Sequence, residues 1–175
     1  MNATLNSILN ANIDSFSKLK NAKTIKTKHG PLIHIDNGSD VLGVAHLDVV
    51  SWCQPTYTDR TIDNCPQLDD RLGVWTILDL LPKMGVKTDI LLTDSEEIGE
   101  STSQYFQSPK DYNWLYQFDR AGTDVVMYDY ETEKHAKMLV DANFEVGRGI
   151  FSDICSMEHL KRIGFNFGVG YHNQH

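Results

Sequence analysis

Two rhythms of apolar residues alternate along the chain. At its start Leu5, Ile8, Leu9, Ile13 and Phe16 recur at helical spacing, so this stretch reads as an amphipathic helix. KTIKTKHGPLIHID reads as two short strands around a Gly-Pro turn, the second presenting Leu32 and Ile33. VLGVAHLDVV is almost continuously apolar, the pattern of a strand buried on both faces. SWCQPTYTDRTIDNCPQ holds turn residues without a period and reads as a loop. In RLGVWTILDLLPKMG, Leu72, Val74, Trp75, Ile77, Leu78, Leu80 and Leu81 predict a largely buried helix ended by Pro82 and Gly85. TDILLTD then reads as a strand, GESTSQYFQ as a short helix, and NWLYQFD and TDVVMYDY as two further strands. ETEKHAKMLVDANF reads as helical, FEVGRGI as extended, SDICSMEHLKRIG as helical and FNFGVGY as a last strand. Strands alternating with helices predict an α/β domain with a mostly parallel sheet covered on both faces. No repeat or linker divides residues 1–175, so one domain is expected.

Composition narrows the picture little. A hydrophobic fraction of 41% and a charged fraction of 23% suit a globular domain, and no apolar run is long enough for a membrane span. The N-terminus lacks the basic and continuously apolar segments of a secretory signal, which makes a cytoplasmic location the expectation. Cys53, Cys65 and Cys155 are odd in number and have no CxxC spacing, so small buried thiols are expected rather than disulfides. The formal net charge of −8 argues against a nucleic-acid binder, because phosphate affinity rests on Lys and Arg. Bound cations would offset part of that charge.

Candidate chemistry emerges where acids and histidines fall on this outline. His46 and Asp48 follow VLGVA, Glu96 and Glu97 follow ILLTDS, Asp119 follows WLYQF, and His172 and His175 follow FNFGVGY. Ligand crevices of open α/β sheets lie beyond the carboxyl ends of the strands, so these residues would converge. Asp69 and Asp70, at the entrance to the Leu72 helix, could join them. Each group alone has a structural reading: a His–Asp hydrogen bond, a helix N-cap, a solvated helix start, a salt-bridged turn, a frayed tail. Together they form an ordered series of imidazoles and carboxylates, the donor set that zinc accepts. Two such ions at close range need one acid between them. His29, His34, His135 and His159 lie outside the series and read as surface or hydrogen-bonded residues. Trp75 reads as core, while Trp52, Phe151 and Ser152-Asp153 could line a pocket.

The strings AHLDVV, LDDRLGV, LLTDSEEIG, QFDRAGTD and GVGYHNQH, in that order, resemble the co-catalytic di-zinc exopeptidase superfamily, which includes leucyl and glutamyl aminopeptidase-like, peptidase T-like and glutamate carboxypeptidase-like enzymes. The resemblance implies an α/β three-layer sandwich with a central mixed, mostly parallel sheet, the phosphorylase/hydrolase-like zinc peptidase fold. It implies that His46 ligates the first metal with Asp48 orienting its imidazole, and that Asp69 bridges, since it stands four residues before Gly73 as the family's bridging Asp stands before a helix Gly. Glu96 would be the general base, Glu97 a ligand of the second metal and Asp119 the remaining ligand of the first. The second metal's histidine would be His175, from the aromatic-Asn-x-His string, with His172 in reserve. Relatives run on into a further helix after this string, so a missing C-terminal helix is expected. About fifty-five residues separate Asp119 from His175, which leaves no room for the inserted dimerisation domain of some members.

The resemblance thus implies a metal-dependent hydrolase of amide bonds with two divalent ions, Zn2+ foremost and Mn2+ or Co2+ acceptable to the same donors. The first reading is an aminopeptidase or related exopeptidase acting on small peptides. An N-acyl amino acid deacylase is the enzymatic rival, and a non-catalytic metal-binding module is the rival of another class. No nucleic-acid or membrane partner is expected, and the assembly state is open.

Overall fold

A computed structural model describes residues 4–171. His172 and His175 therefore lie outside the described residues.

The continuous apolar runs form the middle of one seven-stranded sheet. Its strands are β1 (Ala22–Thr27), β2 (Gly30–Ile35), β3 (Val41–His46), β6 (Asp89–Thr93), β7 (Trp114–Phe118), β8 (Val125–Val126) and β9 (Ile163–Phe167). They lie in the order β1-β2-β6-β3-β7-β9-β8. β6, β3, β7 and β9 are mutually parallel. β1, β2 and β8 add antiparallel edges. The mixed, mostly parallel sheet expected from the alternation of elements is thus present.

Alternation along β3 and β6 explains why their sequences are apolar throughout. Leu42, Val44 and Leu91 enter a core with Phe106, Tyr112, Leu115, Ile154 and Met157. Ala45, Ile90 and Leu92 enter the opposite core with Ile8, Phe16, Val74 and Ile77. Each fully buried aliphatic side chain stabilises the fold by roughly 2 kcal/mol.

The covering layers differ from expectation in detail. The N-terminal helix is two short helices, α1 (Leu5–Leu9) and α2 (Ile13–Phe16), because Thr4 and Asn12 each cap a new start. The loop after β3 contains a small hairpin of β4 (Thr56–Tyr57) and β5 (Ile62–Asp63). The buried helix begins earlier than its apolar run, as α3 (Leu68–Trp75). It widens to a π turn over Thr76–Leu80 and closes in α4 (Leu81–Lys83). Pro82 does not end it; the wider turn absorbs the hydrogen bond that proline cannot donate, and Gly85 at φ +80° makes the stop. On the other face the cover is 3-10 turns, Thr102–Tyr105 and Asp153–Leu160, where helices were expected. Helix α5 (Glu133–Asp141) packs Leu139 beside β9. FEVGRGI forms no strand, only a bridge between Val146 and Val125. The cysteines are free, and half-buried rather than buried. No helix among the described residues is long and apolar enough to cross a membrane.

Candidate metal centre

Three adjacent parallel strands end side by side, and each delivers a functional group. His46 is the last residue of β3, Asp119 directly follows β7, and Glu96 and Glu97 follow β6 after a turn at Ser95, whose φ is +61°. Asp69 and Asp70 occupy the first turn of α3. That turn is brought against the end of β7 at Gly73: a Cβ there would lie 2.3 Å from the Phe118 carbonyl oxygen, so only glycine permits the approach.

His46 is buried at the centre, 1% exposed. Its Nδ1 donates to the Asp48 carbonyl oxygen at 3.1 Å, and the Asp48 carboxylate lies at 3.5 Å. Its Nε2 faces Asp119 Oδ1 at 3.2 Å and Glu97 Oε1 at 3.9 Å. The other Asp48 oxygen accepts the Glu97 backbone N–H at 3.0 Å, tying the loops after β3 and β6 together. A backbone carbonyl on one imidazole nitrogen, with the other turned toward carboxylates, is how proteins orient a ligating histidine.

Two overlapping groups could each hold an ion: His46 with Glu96 and Asp119, and His46 with Asp70 and Glu97. The fold thus brings together His46, Asp48, Glu96, Glu97 and Asp119. The second group takes Asp70, which is 4% exposed, from the first turn of α3; its half-buried neighbour Asp69 accepts the Asp70 N–H on Oδ1 at 3.1 Å.

The electrostatics fit cations. Burial, then the charges of Asp153 and Asp119, push the Glu96 carboxyl up to about 8. Burial and a hydrogen bond with Glu97 hold Asp70 well above the carboxylate range. Burial disfavours charge on His46, yet Asp119 and the bond to Asp48 raise its pKa well above the usual value. Crowded carboxylates take up protons when no metal balances them, and a divalent ion supplies that balance.

Supporting residues came less readily from sequence. Asp153, considered only as a pocket residue, is fully buried and accepts from Thr93 at 2.7 Å, Ser101 at 2.6 Å and Gln117 at 2.8 Å. The same Gln117 nitrogen donates to Asp119 Oδ2 at 2.9 Å. Asn166 receives the Asp119 backbone N–H at 3.1 Å and donates to the Tyr128 hydroxyl at 2.9 Å. The available signal was a buried amide in each of two apolar strands, WLYQF and FNF, since such groups need partners.

The remaining histidines bond elsewhere. His34 meets the Tyr112 hydroxyl at 2.9 Å, His159 the Phe106 carbonyl at 2.8 Å, His135 the Thr132 hydroxyl at 2.8 Å, and His29 faces Glu100 at 3.3 Å. Trp75 packs against the core, and Trp52 is 53% exposed.

No protein-family model and no curated protein matches the sequence. Solved structures do. LapA aminopeptidase of Legionella pneumophila superposes with a TM-score of 0.55 at 17% identity, over 97% of this chain and 53% of that one. The fold is that of zinc-dependent exopeptidases. A Zn-dependent exopeptidase of Parabacteroides distasonis matches at a TM-score of 0.52 and 14% identity, over 96% and 74% of the two chains. An aminopeptidase from an Aneurinibacillus strain matches at 0.52 and 20%, over 79% and 39%. The chain spans about half the length of the LapA structures it matches.

Proposed function

We propose that this chain is a metal-dependent hydrolase of amide bonds in small peptides, most simply an aminopeptidase working with two divalent ions, zinc foremost. One observation carries the reading: His46 and the carboxylates of Glu96, Glu97, Asp70 and Asp119 converge at the ends of three neighbouring parallel strands, in a fold shared with zinc exopeptidases. Relatives described as aminopeptidases and Zn-dependent exopeptidases support the peptide substrate.

His46, Asp119 and Glu97 would hold the ions, with a bridging acid from the first turn of α3. Asp69 is our choice, on its spacing to Gly73; Asp70, already hydrogen-bonded to Glu97, would support that ligand. His175 would complete the set. When bound, the ions supply a polarised water and positive charge for the carbonyl oxygen.

Asp48 holds the imidazole so that Nε2 alone is presented. Gln117 and Asn166 fix Asp119 from its side chain and its backbone. Glu96, whose carboxyl is pushed up by burial and neighbouring acids in the metal-free site, would be held ionised by the bound ions, take a proton from the attacking water and pass it to the leaving amine. Glu96→Ala is expected to bind the same number of ions as the parent but to lose activity by about 10²–10⁴-fold. Parent-like turnover in that variant excludes the role. Aminoacyl and N-acyl substrates compared in parallel separate the peptidase from the deacylase.

A further inference from the structure

Next to the metal-centre residues lies a cavity of about 630 Å³ that the catalytic reading leaves unused. Its walls come from the α1–α2 turn, from Leu47, Asp48 and Val49 after β3, and from Trp52 and Arg71. Asp48 is shared: it borders the cavity while its carboxylate is engaged by His46 and the Glu97 N–H. Asp48 thus touches both the cavity and the metal-centre residues.

Arg71 is the unusual wall. It is 5% exposed, yet none of the ion pairs among the described residues includes it. Its Nη1 donates to the Ile8 carbonyl oxygen at 3.2 Å, and its guanidinium stacks over Phe16 at 5.4 Å. Nε is buried with no acceptor. A buried guanidinium with donors to spare is costly unless something accepts them, and its planar fork suits a carboxylate best. Asp70, Asp48 and Asp94 balance its charge from a distance, but hydrogen-bonding capacity is left over. The other polar groups on the lining are the amides of Asn10 and Asn12, the exposed Asp14, and Asp48, whose carboxylate is already engaged by His46 and the Glu97 N–H.

We infer that this cavity receives a carboxylate of the substrate and that Arg71 reads it. The inference rests on the hydrolase reading and narrows it to substrates carrying an anion. That anion has two sources, an acidic side chain or the peptide's own C-terminus. In either case Arg71 is a specificity residue that touches the substrate away from the bond being cut.

The test compares matched substrates on the metal-loaded protein. One arm sets glutamyl- and aspartyl-p-nitroanilide against the leucyl and alanyl compounds. The other sets leucylglycine against leucylglycinamide. At least about a tenfold advantage in kcat/KM, carried mainly by KM, is expected for the charged member of one pair, and that pair names the source. Arg71→Met is expected to erase the advantage while leaving neutral substrates within a few-fold, and Arg71→Lys to keep part of it. Equal rates within both pairs in the parent protein overturn the proposal, whatever the variants do; so does Arg71→Met slowing all substrates alike. Calorimetry with L-glutamate against L-glutamine, and glycylglycine against its amide, reads the same preference without turnover. Carboxylate-selective binding without hydrolysis sinks the hydrolase reading and leaves the anion site, whereas hydrolysis without selectivity does the reverse.

Discussion

Buried carboxylates stand at both ends of β6, and the two ends treat them in opposite ways. Asp89, at the start, is fully buried but surrounded by donors: Lys110 at 2.7 Å, the Tyr112 hydroxyl at 2.8 Å, and the backbone N–H groups of Asn37 and Ser39 at 2.9 Å. Burial alone would raise its pKa; Lys110 and the other donors outweigh it and hold the carboxyl below the usual range. Beyond the strand's end Glu96 is pushed up to about 8 by burial and by neighbouring acids. Asp70 is raised likewise, by burial and its bond with Glu97. One charge is balanced by the protein's own donors, so its work is structural. The other group has His46 as its neighbouring cation, and its carboxyls still rise toward the protonated form, the pattern of a site that gains from a further positive charge.

That contrast can be broken at either end. The largest effect is expected in the first turn of α3. On the two-ion proposal, Asp69→Asn should bind one ion fewer than the parent, while Asp70→Asn should keep the parent's number with affinity about 10–100-fold weaker, as for residues that support a ligand. Metal content by mass spectrometry and titration decides, and the reverse result hands the bridge to Asp70. At the other end, Asp89→Asn should cost about 1–3 kcal/mol in denaturant unfolding, because it weakens several buried bonds, and leave ion stoichiometry unchanged. A change in metal content there would show that the two ends are coupled.

The smallest effect is in pH dependence, and the two ends have opposite signs. A carboxyl whose folded pKa is depressed, as for Asp89, stabilises the fold above its unfolded pKa, and that contribution is lost as pH falls through the folded value. A raised carboxyl such as Glu96 stabilises the fold below its unfolded pKa, and loses that contribution as pH rises toward about 8. Metal-stripped protein should therefore melt a few degrees lower at about pH 9 than at about pH 6, and adding zinc should remove most of the difference. Melting curves that slope the same way with and without zinc would show that the crowded acids do not sense the ion.

Much of this was legible in sequence because burial on both faces writes itself into a strand. Leu42, Val44, Leu91 and Leu92 marked the central strands, and the polar residues immediately beyond them marked the site. What stayed hidden was anything set by close contact. The sequence shows two adjacent acids, Asp69 and Asp70, but not which one the turn at Gly73 swings toward His46. Gln117 and Asn166 look like interruptions of apolar strands until the strands pair Gln117 with Asn166 in register. The 3-10 turns read as helices because short apolar runs carry the same spacing in both.

The Asn166 contact also has a consequence for biosynthesis. Asp119 takes its backbone support from a residue of β9, and β8 is held by that strand and by the Val125–Val146 bridge, with Gly168 packed against the Gly122 carbonyl where a Cβ would lie 2.4 Å away. A chain emerging from the ribosome can pair β3 with β6 early, while the Asp119 backbone gains its Asn166 contact only after β9 has docked on β7. The strands that carry His46 and the two glutamates can thus pair before the backbone support of Asp119 exists, so the candidate centre is assembled in two stages along the chain.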